Sequence, residues 1–378
     1  MKRLFAAAVG FSLLAAPAFA STPEDPAQPN PQERIAQAER PVLDVVFVLD
    51  TTSSMGGLIE GAKQKIWSIA SRMAAGKPTP KVRVGLVAYR DQGDAYVTQI
   101  HGLTEDLDGV YKTLTGFRAE GGGDGPEAVQ DGLSDAVEKM QWSDGKKVAK
   151  MVFLVGDAPA HDQDRARLNA AAKKAISKGI VVNTIRCGQD GTAGTQFTEV
   201  ARLADGRFDS IDQSGGVLAI ATPYDADLAK LNAELMDTTL YAGRREAMAA
   251  GESRKAEAKA MAPAAAADRV SYASKAGGGA GTRGDSFGAV DLAAAPERAA
   301  AMKDEELPVA MRKMSKEERV EFAKKQQAQR QQIEGRIVEL AKKRDAFVAK
   351  EVAGKKDSFD SRVFESVKTS AAKAGVAY

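Results

Sequence analysis

Asp50, Thr52 and Ser54 place three hard oxygens at alternate positions directly after the apolar run 45–49. A set made only of oxygens suits Mg²⁺, Ca²⁺ or Mn²⁺ rather than zinc. Two further segments carry acidic groups in comparable settings. One is the glycine-dense stretch Gly121-Gly122-Gly123-Asp124-Gly125-Pro126-Glu127. The other is Gly156-Asp157-Ala158-Pro159-Ala160-His161, directly after the apolar run 152–155. Taken singly, each has a plain structural reading: Asp50 and Asp157 can cap helices, and the glycines can form a turn. Together they put Asp50, Thr52, Ser54, Asp124 and Asp157 at strand ends or in loops, where an open α/β sheet binds its ligands. The two histidines add little. His161 reads as a surface-loop residue, because hard-cation sites use oxygen, and His101 reads as a loop residue after an edge strand. No nucleophile–base pair is apparent, so Ser-His hydrolysis is unsupported. Gly284-Asp285-Ser286-Phe287-Gly288 has the Gly-x-Ser-x-Gly hydrolase spacing but lacks the strand before it and the helix after it.

The elements that must position these groups follow from hydrophobic patterning. Residues 42–49, 82–89, 148–155 and 180–185 are Val- and Ile-rich and nearly continuous in apolarity, as strands buried on both faces are. Residues 96–100 alternate and suggest an edge strand; 207–211 is a short sixth candidate. Between them, 58–73, 107–114, 128–140, 165–177 and 195–203 carry apolar residues at helical spacing, and 228–240 reads as a closing helix. Alternating strands and helices imply a doubly wound, mostly parallel α/β sheet with helices on both faces. About 200 residues is enough for one domain with a full core.

On these residues the chain resembles the von Willebrand factor type A (VWA) family with its metal-ion-dependent adhesion site (MIDAS). The resemblance covers residues 41–241. The family pattern is Asp-x-Ser-x-Ser, a Thr in a second loop, and an Asp after a later strand. Asp50, Thr52, Ser54 and Asp157 fall on the first, second, third and last of these, with Thr52 in place of Ser. Asp124 stands where the family usually has Thr, which adds negative charge near the ion and should make a bound metal tighter and less electrophilic. The resemblance implies that the hydroxyls bind the metal directly and the aspartates largely through water. It also implies an open position for the Asp or Glu carboxylate of a protein partner.

The remaining chain is read as follows. Residues 1–20 have a basic start (Lys2, Arg3), an apolar stretch and Ala18-Phe19-Ala20, which reads as a signal peptide cleaved near Ala20. Residues 21–40 are a proline-rich disordered leader. No other apolar run is long enough to cross a membrane. The expected location is therefore periplasmic or extracellular. The single cysteine, Cys187, excludes an intrachain disulfide and reads as a buried thiol. Residues 41–241 hold 22 Lys+Arg against 27 Asp+Glu, and residues 242–378 hold 27 against 20. A basic tail could fold back onto the acidic domain or meet an anionic surface, but a solvated helical tail is the simpler reading. Residues 242–303, rich in Ala and Gly, are expected to be a flexible linker, helical at most in the Ala-rich part. Residues 304–378 are expected to be a charged helical tail, with a capping box at Ser315 and Glu318 and a possible role in self-association.

The functional expectation is an exported adhesion or interaction module, not an enzyme and not a nucleic-acid binder, which recognises a partner carboxylate through Mg²⁺, or Ca²⁺ or Mn²⁺ in its place. Two alternatives are weighed. One is a structural cell-envelope protein whose metal only stiffens a loop. The other is a Mg²⁺-dependent phosphohydrolase with Asp50 as nucleophile, in which Thr52 stands where the general acid–base Asp is needed.

Overall fold

The centre of the fold is β1 (Val42–Asp50), nearly all of it buried because it lies between two parallel neighbours and two helical layers. Leu43, Val45, Phe47 and Leu49 enter the apolar cluster on one face of the sheet, and Val46 and Val48 enter the cluster on the other. That is the period-two alternation of a strand with both faces covered, and it explains the unbroken apolar run. The computed structural model describes residues 40–123, 125–213, 220–277, 284–352 and 359–378. The expected signal peptide and nearly all of the leader lie outside these residues, as does Asp124.

β1 pairs in parallel with β2 (Lys81–Tyr89) on one side and β4 (Val148–Gly156) on the other. β5 (Ile180–Cys187) and β6 (Phe208–Ile211) continue the parallel array, and β3 (Thr98–Thr104) closes the far edge antiparallel to β2. The order is β3-β2-β1-β4-β5-β6. The edge strand begins two residues later than its alternation suggests, and its register shifts between Val84 and Leu86. Helices α1 (Gly56–Ala74) and α2 (Leu107–Gly116) cover one face. The other is covered by α3 (Val129–Glu138), α4 (Arg165–Ser177) and α5 (Gly191–Leu203). The doubly wound, mostly parallel sheet expected from the sequence is the sheet observed. Cys187 is buried.

Beyond the sheet the structure departs from expectation. α6 (Asp225–Asp237) is followed by α7 (Arg245–Lys259) and α8 (Pro263–Ala276), so the described part of the expected linker is largely helical and packed. Alanine explains the difference. Ala265, Ala266 and Ala267 are too small to register as a hydrophobic stripe, yet all are buried beside Val270 and Tyr272. α9 (Lys316–Val352) is one 37-residue helix. It rests Ile333 and Ile337 on Leu228, Leu231 and Leu235 of α6 rather than forming a coiled coil.

The last helix, α10 (Phe359–Lys373), belongs to the sheet. Phe359, Val363, Val367 and Ala371 join the cluster that contains Phe47 and Phe153. The Phe47 and Phe359 rings lie 6.3 Å apart. Behind α10 the chain is pinned by a bridge from Lys77 to Ala377 and by Tyr378 Oη donating to Met73 O at 2.8 Å. The basic tail therefore folds back on the acidic domain. Arg269 pairs with Asp108, Arg254 with Asp106, Arg362 with Asp209 and Lys373 with Asp205. Among the described residues no helix is long and apolar enough to cross a membrane.

Candidate metal site at the top of the sheet

β1 ends at Asp50, whose Cα partner on β2 is Tyr89. The next residue ties the loop to that neighbour: Thr51 N and Oγ1 both donate to Tyr89 O, at 2.9 and 3.0 Å. Asp50 then organises the turn that follows it. Its Oδ1 accepts from Thr52 N at 2.8 Å and from Thr52 Oγ1 at 2.6 Å. These bonds turn the Thr52 hydroxyl toward the carboxylate and leave it 3.4 Å from Ser54 Oγ. The other carboxylate oxygen, Asp50 Oδ2, is buried and has no hydrogen-bond partner.

The second segment depends on two left-handed residues, Gly121 at φ 80° and Gly122 at φ 69°. Only glycine adopts this backbone at no steric cost. The turn brings Gly121 O to Ser53, which donates from Oγ at 2.8 Å and from N at 3.2 Å. A Cβ on Gly122 would sit 3.1 Å from Thr52 Cβ and 3.2 Å from Glu127 Oε1. Thr52 and Glu127 thus flank the same point of bare backbone.

The third segment leaves β4 at Gly156. A Cβ there would stand 2.3 Å from Tyr89 Oη and 3.3 Å from Asp50 Oδ2, so the glycine gives the carboxylate its room. Asp157 follows. Its Oδ2 accepts from Gln213 Nε2, which also donates to Ser54 O at 3.2 Å and so links the first and third loops. Asp157 Oδ1, like Asp50 Oδ2, is buried without a partner.

Electrostatics follow from this crowding. Burial pushes the Asp50 carboxyl up to about 7; the Thr52 hydrogen bonds oppose the rise and the neighbouring Asp157 adds to it. Burial, then the charges of Asp50, Asp91, Asp94 and Asp157, push Glu127 up to about 9. Glu127, Asp91 and Asp94 are the residues that sequence reasoning passed over. Glu127 lies inside the glycine-dense segment, but beside a helix start it reads as an ordinary first-turn acid. Asp91 and Asp94 sit in a polar loop after β2, and no spacing rule connects them to Asp50. His161 is not isolated at the surface: its Nε2 lies 2.7 Å from Asp91 Oδ1. His101 lies within β3, with Nε2 2.9 Å from Thr113 Oγ1.

Asp50, Thr52, Ser54 and Asp157 are therefore brought together, and their donor set is all oxygen. Among the described residues, no three His, Cys, Asp or Glu side chains gather closely enough to hold a metal by themselves. Two orphaned carboxylate oxygens beside two hydroxyls fit a hard divalent cation, which would remove their mutual repulsion.

Residues 44–222 match a family model described as von Willebrand factor A domain. The match takes in a little under half of the chain, and the segment is similar to VWA domains. A rat protein, von Willebrand factor A domain-containing protein 7, is 37% identical over 153 residues, covering 34% of this chain and 17% of that protein. An ariadne-like RING finger protein of Acanthamoeba polyphaga mimivirus, its name given as putative, is 28% identical over 34% of this chain and 12% of its own length. The alpha-protein kinase vwkA of Dictyostelium discoideum is 27% identical over 32% of this chain and 19% of its own. The chain thus spans less than a fifth of each of these relatives. Among solved structures, proximal thread matrix protein 1 of the mussel byssus, with a zinc-occupied MIDAS motif, is 18% identical with a TM-score of 0.37, over 46% of this chain and 42% of that one. The SpRpn10 VWA domain is 17% identical with a TM-score of 0.36, over 46% and 89%.

Proposed function

We propose that the VWA domain is a metal-dependent protein-binding module that engages an Asp or Glu carboxylate of a partner protein through a divalent cation. VWA domains commonly mediate protein–protein interaction. The observation that carries the metal-dependent form of this reading is the pair of buried, partnerless oxygens, Asp50 Oδ2 and Asp157 Oδ1, beside the Thr52 and Ser54 hydroxyls. Leaving such atoms unpaired costs about 1–3 kcal/mol each, more when charged. Thr52 and Ser54 would hold Mg²⁺, Ca²⁺ or Mn²⁺ directly, with Asp50 and Asp157 behind them. The cation supplies positive charge and a free coordination position at the surface. The chain's own residues do the rest: Asp50 orients the Thr52 hydroxyl, Gln213 fixes Asp157 relative to Ser54, and Gly122 and Gly156 keep side chains out of the site. We place this activity outside the cytoplasm, after loss of residues 1–20.

The test is retention on an array of peptides bearing single Asp or Glu residues, in Mg²⁺, Ca²⁺, Mn²⁺, Zn²⁺ or chelator. Retention that needs a cation and fails in Asp157→Ala supports the reading. Metal binding without any cation-dependent retention would favour a metal that only stiffens the loops.

A further inference from the structure

We propose that the partner engaged at this site presents its carboxylate from a basic surface, as an Asp or Glu flanked by Lys or Arg, because the loops around the site form an acidic rim. The inference rests on the metal-site reading above and names the kind of partner that the site accepts.

Charge is divided between the two ends of the sheet. At the carboxyl ends of the parallel strands, segments 90–97, 117–123, 125–128, 157–164, 188–190 and 212–213 hold nine Asp+Glu against two Lys+Arg. At the opposite end, segments 40–41, 75–80, 105–106, 139–147, 178–179 and 204–207 hold four against seven. The acidic excess therefore belongs to the end that carries Asp50 and Asp157, not to the sheet as a whole.

Backbone contacts seat several of these acids beside the site. Asp94 Oδ2 accepts from Gly122 N at 3.0 Å, at the bare backbone that borders Thr52. Glu120 N donates to Thr51 O at 3.1 Å, and the Glu120 side chain is largely exposed. Asp212 precedes Gln213, the residue that joins Ser54 O to Asp157. Asp162 is exposed in the loop that Asp157 opens. The neighbouring cations are already engaged. Arg90 is 4% exposed, its Nη2 donates to Arg118 O at 2.8 Å, and its guanidinium lies over the Tyr96 ring. At the start of α4, Arg165 pairs with Glu199, and Arg167 with Asp131 and Asp164. Of the two loop arginines, only Arg118 is exposed.

A divalent cation does not reverse this field. Its two charges are matched by Asp50 and Asp157, so from a distance the filled site is neutral and the rim decides what approaches. A carboxylate on an acidic segment meets repulsion from the rim before it reaches the metal. One with lysines or arginines beside it is drawn in, and those side chains pair with the rim as the carboxylate reaches the ion. Screening limits the effect to about 10 Å at 0.1 M salt, so the residues that count are the immediate neighbours of the partner's carboxylate.

The experiment is fluorescence anisotropy of the full chain with peptides in which a single Asp is flanked by Lys, by Ala or by Glu, in saturating Mg²⁺, Ca²⁺ or Mn²⁺ and in chelator. With cation, the Lys-flanked peptide should bind about tenfold or more tightly than the Glu-flanked one, with the Ala-flanked peptide between them. The preference should shrink as salt rises. Replacing the Asp of the Lys-flanked peptide by Asn should abolish binding. A double variant, Asp162→Lys with Asp212→Lys, shown to be folded by circular dichroism, should cut the preference about threefold or more. Equal binding of the three Asp peptides would overturn this inference and leave the site reading standing. So would a preference that the double variant leaves unchanged. A Lys-flanked peptide that binds equally well in chelator, or with Asn in place of Asp, would show charge attraction without a metal bridge and would also overturn the inference. If no peptide binds in a cation-dependent way, both readings fall.

Discussion

Two regions of this molecule bury charge, and they do so in opposite ways. Among the described residues of the layer built by α6 to α9, the buried aspartates Asp225, Asp268 and Asp291 each meet an arginine, and the layer's buried Arg269 reaches out to Asp108 of α2. Arg269 donates from Nε and Nη2 to both oxygens of Asp108, at 2.7 and 2.8 Å, and from Nη1 to Asn232. Arg344 bridges Asp225 and Asp268. Arg330 donates to Asp291 Oδ2 at 2.7 Å, while Asp291 Oδ1 accepts from Leu240 N and Ala293 N. At the carboxyl ends of β1 and β4, by contrast, Asp50, Glu127 and Asp157 each keep one buried oxygen without a partner. Desolvation is a cost in both places. In the first it is offset within the chain. In the second it is left open, which is the arrangement expected where a ligand from outside completes the set.

The largest effect should come from deleting α10, which covers one face of the sheet that carries the unpaired oxygens. A chain ending at residue 352 uncovers Phe47, Phe153, Val155 and Leu49, which α10 now helps to cover. Its expected behaviour is aggregation or loss of cooperative urea unfolding, and a soluble, cooperatively unfolding fragment would show that α10 is peripheral. Phe359→Ala is a milder version, expected to cost about 3–5 kcal/mol in urea denaturation.

Next come the paired arginines. Arg269→Ala leaves Asp108 facing a fully buried void and should cost about 3–5 kcal/mol in urea denaturation. Asp50→Asn acts on the unpaired region and should be neutral or stabilising in metal-free protein, because it removes half of an uncompensated repulsion. A destabilisation by Asp50→Asn as large as that of Arg269→Ala would erase the contrast between the regions.

The smallest expected effect is one of pH at the seam between them. Burial alone pushes Asp106 up, but the hydrogen bond and charge of Arg254, with bonds from Gly109 and Ser286, outweigh it and hold the carboxyl below its ordinary 3.8. A group depressed in the folded state contributes stability above its unfolded value and loses it as pH falls through the folded one. Arg254→Ala should therefore flatten the fall in unfolding free energy, read from urea denaturation, as pH drops below the ordinary carboxyl value of 3.8, by about 1 kcal/mol or less. An unchanged slope would mean that the pair does not couple α7 to α2.

How much of this was legible in the sequence follows the same division. The strands show themselves because both faces are buried, which leaves long apolar runs such as 45–49. Asp50, Thr52, Ser54 and Asp157 are legible because each follows such a run directly. Glu127 is not, because what distinguishes it is proximity to groups far away in sequence. The C-terminal layer is illegible for a different reason. Its buried surface is alanine and arginine rather than a hydrophobic stripe, and its pairs are remote: Arg269 and Asp108 are 161 residues apart. A charged, Ala-rich segment reads as linker or solvated helix until its partners are known.

The central claim is that the unpaired oxygens above the sheet are a cation site. Titrating Mg²⁺, Ca²⁺ and Mn²⁺ into the metal-stripped chain and into Asp157→Ala, with circular dichroism to confirm both folds, tests it directly. The account requires saturable binding by wild type and its loss in a folded Asp157→Ala protein. No binding by wild type at millimolar metal, or binding that Asp157→Ala retains, would contradict it.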